Sequence, residues 1–184
     1  MKKYKLGHLV DLQSGVPITR LGQAGTLTKS TGDYQIFSVD SDVQYLSTDK
    51  QLDVVTPDQV LVALIPQKIV AVPATEKPLI IGTNYVAVRP HQQLDARFLR
   101  WWFNESSEAR RQIEVSAQGS MLTRLSMSAL RSLMIELPTL SKQKTIGLLY
   151  EMQLQVTALT TQRRDLFIKS SNATLEASFR EERE

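Results

Sequence analysis

Gly119-Ser120-Met121, followed by Leu125, Leu130, Ile135-Glu136-Leu137-Pro138-Thr139-Leu140 and Gln143, is the stretch that decides how this chain is built. It reads as a loop, a short helical turn, an apolar strand and a proline that stops the strand. A long polar helix begins at Ser141. The order hands a compact domain over to a projecting helix, an arrangement suited to spacing one module from another.

Composition changes at the same place. Residues 1–140 hold seven of the eight glycines, all seven prolines and the β-branched runs. From Ser141 to Glu184 there is no proline, Gly147 is the only glycine, and helix-favouring Gln, Glu, Leu, Lys and Arg dominate. Two parts follow: a compact domain over 1–140 and a long spacer helix over 141–184.

The first part reads as α+β, with a compact, curved, mostly antiparallel sheet and small helices. Tyr34–Phe37 follows a Gly32-Asp33 turn signal. Val60–Ile65 and Ile69–Val72 flank Pro66-Gln67-Lys68 as a hairpin. Leu79–Ile81 and Tyr85–Val88 flank the break Gly82-Thr83-Asn84, and Pro90 ends the last strand. From Leu94 the period changes: Phe98, Leu99, Trp102 and Phe103 fall at helical spacing, and Ser106 or Ser107 caps a second helix through Ile113. Trp102 is expected in the core. The adjacent Trp101 cannot share its face and is a candidate for the surface or an interface.

In the second part Leu149, Met152, Val156, Leu159, Arg163, Leu166, Ser170, Ala173 and Ala177 alternate by three and four residues, a heptad seam that weakens after Leu166. From Ser141 to Phe179 the helix would extend roughly 58 Å at about 1.5 Å per residue. A half-apolar helix of that length needs a partner helix, and the chain offers no second one. An intermolecular coiled coil through Leu149, Met152, Val156, Leu159 and Leu166 is therefore expected, with a second copy or another subunit.

Bulk properties narrow the chemistry. There is no cysteine, and His8 and His91 have no paired ligand spacing, so no metal site is implied. The apolar part after Met1-Lys2-Lys3 is too short for a signal sequence, and the longest apolar run, Val60–Ile65, cannot span a bilayer. A soluble cytoplasmic protein is expected, with no membrane association. Twenty-two basic against 19 acidic residues give a net charge of +3, too even to announce nucleic-acid binding. Arg97, Arg100, Arg110, Arg111, Arg124 and Arg131, against Glu105, Glu108 and Glu114, form a local basic excess.

Gly25-Thr26-Leu27-Thr28-Lys29-Ser30 has Thr28 where a phosphate-binding loop needs glycine before its lysine. There is no Gly-x-Ser-x-Gly elbow and no paired-carboxylate spacing. Asn84-Tyr85 lacks the prolines of an amino-methylating motif. No catalytic residue and no cofactor are implied, and the chain reads as a non-enzyme.

Several segments in order carry a resemblance. They are Leu6-Gly7-His8-Leu9-Val10-Asp11 through Gly15, Gly32-Asp33-Tyr34-Gln35-Ile36, Asp58-Gln59-Val60-Leu61-Val62, Phe98-Leu99 with Trp102, and the closing segment quoted above. Together they resemble one half of a type I restriction-modification DNA-specificity subunit. Departures are His8 for a frequent Asp, Gln59 within the "GDIL" strand, and Leu137-Pro138-Thr139-Leu140-Ser141-Lys142-Gln143 for "LPPLxEQ". The resemblance implies a half-length, non-catalytic subunit with one DNA target-recognition domain. A DNA adenine methyltransferase and a restriction nuclease or translocase would supply the catalysis. Pairing with a second copy as a homodimer would give a symmetric reader of a bipartite inverted repeat in double-stranded DNA. On this resemblance the base-reading candidates are the turn residues Gln67, Lys68, Thr83, Asn84, Gln118 and Ser120. The phosphate candidates are Arg20, Lys29, Lys68 and Arg124. The alternative from a different class is a coiled-coil adaptor that joins proteins and never meets DNA.

Overall fold

The computed structural model describes residues 2–20, 25–38, 43–117 and 124–181. Its internal contacts divide the chain into two units, Met1–Gly147 and Leu148–Glu184.

The first unit is α+β. Strands β1 (Lys3–Lys5) and β10 (Met134–Glu136) pair as a two-stranded antiparallel ribbon. A four-stranded antiparallel sheet runs in the order β2 (Val10–Ser14), β9 (Tyr85–Pro90), β6 (Val60–Ala63), β7 (Lys68–Ala71). A second four-stranded sheet runs β3 (Thr26–Thr28), β5 (Gln44–Ser47), β4 (Tyr34–Phe37), β8 (Leu79–Ile81); here β4 and β8 are parallel. Helices α1 (Ala96–Glu105), α2 (Ser107–Ala117) and α3 (Met127–Ser132) precede the long α4 (Leu140–Glu181).

The strand period of two explains why Val60–Ala63 shows no polar alternation. Val60 and Val62 face the helices, in a core with Val86, Val88, Ile69, Phe98, Leu99, Trp102 and Ile135. Leu61 and Ala87 face the other way, against Leu79 and Ile81 of the second sheet. All four apolar α1 positions expected from the sequence are buried. Trp101 is half-buried and packs against Phe98 with ring centroids 5.6 Å apart. Ser106 caps α2, its hydroxyl accepting from Glu108 N at 3.2 Å.

The two sheets meet at a close approach. Gly15 N donates to Tyr85 O at 3.2 Å, and Val16 N donates to Ile81 O at 2.8 Å, so this short segment bonds to both sheets. A Cβ on Gly15 would lie 2.0 Å from the carbonyl oxygen of Gly82. Only glycine fits there.

The base of α4 is held by a buried amide. The Gln143 side chain, 1% exposed, accepts from Asp95 N at 2.9 Å and donates to Gln93 O at 3.1 Å and Pro138 O at 3.0 Å. Asp95 is itself the N-cap of α1, accepting from Arg97 N and Phe98 N. One turn along α4, Gly147 lies against the start of α1: a Cβ there would sit 2.5 Å from Arg97 Cβ and 2.9 Å from Phe98 N.

Gln143→Ala should leave the Asp95 N–H and two carbonyls without their protein partner and cost roughly 2 kcal/mol. Urea unfolding should show a lowered midpoint at an unchanged slope. A midpoint equal to that of the parent chain would mean the amide does not hold the helix base.

Candidate nucleic-acid interface

Strand directions bring several separated segments to one end of the β2-β9-β6-β7 sheet. The β6–β7 turn (64–67) leaves from Ala63 and returns at Lys68, which are opposite each other. Tyr85 lies opposite Ala63, so the 82–84 turn sits at the same end. Ser14 lies opposite Val86, which places the segment from Gly15 onward there too.

Main-chain hydrogen bonds then tie the turns together. Leu64 N donates to Asn84 O at 2.9 Å, and Leu64 O accepts from Leu125 N at 3.1 Å. Arg124, one residue earlier, donates from Nη2 to Thr83 O at 2.6 Å. Phe37, at the end of β4, packs edge-on against Tyr85 with ring centroids 5.0 Å apart.

Five of the candidates are therefore neighbours on this edge: Gln67, Lys68, Thr83, Asn84 and Arg124. Lys68, Thr83, Asn84 and Arg124 are exposed. Gln67 is half-buried and holds a left-handed backbone, φ 63°. Such a conformation in a residue with a side chain is uncommon outside functional turns.

Arg20 is exposed in the segment after β2, whose Ile18 approaches Gly82. Lys29 follows β3, at the corresponding end of the second sheet but at its far edge, about 14 Å from β8 at ordinary strand spacing. Thr26–Thr28 is a strand rather than a loop feeding a helix, so this segment lacks the architecture of a phosphate-binding loop. Gln118 and Ser120, with Gly119 and Met121, lie outside the described residues.

Electrostatically the two ends of the sheet differ. Segments 15–20, 64–68, 82–84 and 124–125 contain no Asp or Glu but do contain Arg20, Lys68 and Arg124. At the opposite end charges are paired within the chain. Arg89 Nε donates to Asp58 at 2.8 Å, Arg89 Nη2 donates to Thr56 Oγ1 at 3.0 Å, and His91 lies 3.3 Å from Asp11. Hydrogen bonding from Thr56, with Arg89 adding to it, holds the Asp58 carboxyl below its usual range. Among the described residues no group of three His, Asp or Glu side chains is placed to hold a metal ion.

Residues 1–165 match the family model described as type I restriction modification DNA specificity domain. The chain belongs to that family. Several solved structures share its fold. One, from a study of complex assembly and conformational transition of the type I R-M system, gives a TM-score of 0.61 at 19% identity, covering 86% of this chain and 39% of that one. The HsdS subunit from Thermoanaerobacter tengcongensis gives 0.57 at 20% identity, covering 86% and 38%. The type I S subunit from M. genitalium gives 0.56 at 19%, covering 85% and 40%. This specificity-domain chain thus spans about two fifths of the length of the solved structures it matches. No curated protein matches it significantly in sequence.

The second unit of the specificity-domain chain carries the other candidate surface. On α4, Leu149, Met152, Val156, Leu159 and Leu166 are all exposed, between 53% and 64%. Beyond Leu166 the apolar residues do not simply fade. Ile168, Leu175 and Phe179 are exposed as well, but at about 100° per residue they lie on roughly the opposite side of the helix from the first stripe. The heptad reading followed one phase and missed this second stripe. Among the described residues no helix is long and apolar enough to cross a membrane.

Lys68→Ala and Arg124→Ala should each weaken binding to duplex DNA of any sequence, with the dependence of log affinity on log salt shallower by about one unit. A salt titration by fluorescence anisotropy checks this. An unchanged slope removes that residue from the interface.

Proposed function

We propose that this chain is a non-catalytic DNA-reading subunit of a type I restriction-modification methyltransferase complex, acting in the cytoplasm. Residues 1–140 form its target-recognition domain and residues 141–184 its spacer and pairing helix. The observation that carries the reading is the sheet end where cationic and amide side chains converge from segments 15–20, 64–68, 82–84 and 124–125, none of which contains a carboxylate. Phosphate oxygens fit Arg20, Lys29, Lys68 and Arg124, while Gln67, Thr83, Asn84, Gln118 and Ser120 are suited to base edges.

One recognition domain reads one half of a split target. The exposed stripe Leu149, Met152, Val156, Leu159 and Leu166 supports pairing with a second copy. Such pairing is two-fold symmetric, and a symmetric reader demands an inverted repeat. The adenine methyltransferase, and in a restricting system the nuclease or translocase, supply the chemistry.

Sequencing of methylated adenines in cells that express this chain with its methyltransferase should return a bipartite target with inverted-repeat halves. Unrelated half-sites would overturn the two-copy model. Leu159→Asp should weaken self-association at least about tenfold in sedimentation equilibrium, because a carboxylate enters an apolar seam. An unshifted association constant would place the pairing surface elsewhere.

A further inference from the structure

The β6–β7 turn carries a residue out of keeping with its surroundings. Val60–Ala63 and Leu64 are all buried, yet Ile65, the next residue, is 51% exposed. It stands on the same edge as the exposed polar residues Lys68, Thr83, Asn84 and Arg124. A single exposed apolar side chain is ordinary on a protein surface. What distinguishes Ile65 is how firmly its turn is held. Leu64 before it is pinned through both its N–H and its C=O, to Asn84 and Leu125. Pro66 after it has φ set by its ring, and Gln67 occupies the left-handed region. The side chain is thus presented from a rigid tip at little cost in conformational entropy on binding.

The turn joins two antiparallel strands, and β7 is the outer strand of its sheet. β6 is also paired with β9, so it is the turn at the sheet end, rather than a free ribbon, that would reach base edges in the major groove. Of the groups exposed there, one is apolar: the C5-methyl of thymine. Polar groups on either side of Ile65 would meet phosphates and base edges, leaving its methyl groups to meet that one.

We propose that Ile65 is a specificity-determining residue that selects thymine in the recognised half-site by contact with its C5-methyl group. The inference rests on the DNA-reading function proposed above. It adds a base type that the polar candidates do not supply.

The test uses the full chain and a library of random-sequence duplexes, from which bound sequences are recovered at low salt. The recovered consensus is then resynthesised with deoxyuridine replacing each thymidine in turn, which removes only the methyl group. With the parent chain, at least one replacement should weaken binding roughly fourfold, the worth of one methyl-sized group withdrawn from water. In Ile65→Ala that penalty should vanish while the salt dependence stays as in the parent, and Ile65→Val should retain part of it. Urea midpoints matching the parent establish that the variants are folded. A deoxyuridine penalty that is absent in the parent, or equal in the parent and Ile65→Ala, overturns the role of Ile65 and leaves the DNA-reading function standing. Recovery of no preferred sequence by the parent chain overturns that function, and this inference with it.

Discussion

A buried carboxamide governs how this molecule changes from a folded unit into a helix. Gln143 places its oxygen on Asp95 N and its nitrogen on the carbonyls of Gln93 and Pro138. Three chain segments that would otherwise end in unpaired polar groups thereby satisfy one another around a side chain that is itself buried. Inside the protein such a group is costly unless every partner is present. The geometry is correspondingly narrow: β10 must end before Pro138, Asp95 must cap α1, and α4 must begin beside both. Gly147, one turn on, lets the helix backbone lie against Arg97 and Phe98. The base of the helix, up to Gly147, is thus held by one amide and one missing side chain.

Much of this was legible from residue order. Wherever a segment is buried along its length, an apolar run or a helical period shows it: β6 to β9 and α1 declare themselves through Val60–Ile65, Ile69–Val72, Leu79–Ile81, Tyr85–Val88, and the Phe98, Leu99, Trp102, Phe103 set. Short edge elements did not. Strands β3 and β5 have one fully buried side chain between them, Leu46, so their sequences carry no alternation to read. The parallel pairing of β4 with β8 joins residues far apart in the chain, and nothing local encodes it.

The candidate interface was legible in part for the same reason. Turn chemistry marks Gln67, Thr83 and Asn84 as loop residues, whereas Lys68, expected in the turn, opens β7; their convergence depends on strand register, which is a property of the sheet. The bond from Arg124 to Thr83 O has no sequence signal at all. In the sequence Ile65 is the last residue of an apolar run, which gives no hint that it has left the core. The second stripe on α4 was hidden because Ile168, Leu175 and Phe179 fall out of phase with Leu149–Leu166.

The bonds that gather the turns at the sheet end have a further consequence. Those of Leu64 to Asn84 and Leu125 run entirely through main-chain N–H and C=O groups, which are the same whatever side chains stand beside them. Positions 65, 68, 83 and 84 therefore behave like interchangeable type in a fixed printing frame, while position 67 is limited to residues that tolerate its left-handed backbone. A descendant of this gene could alter what is printed there, one letter at a time, and keep the same press.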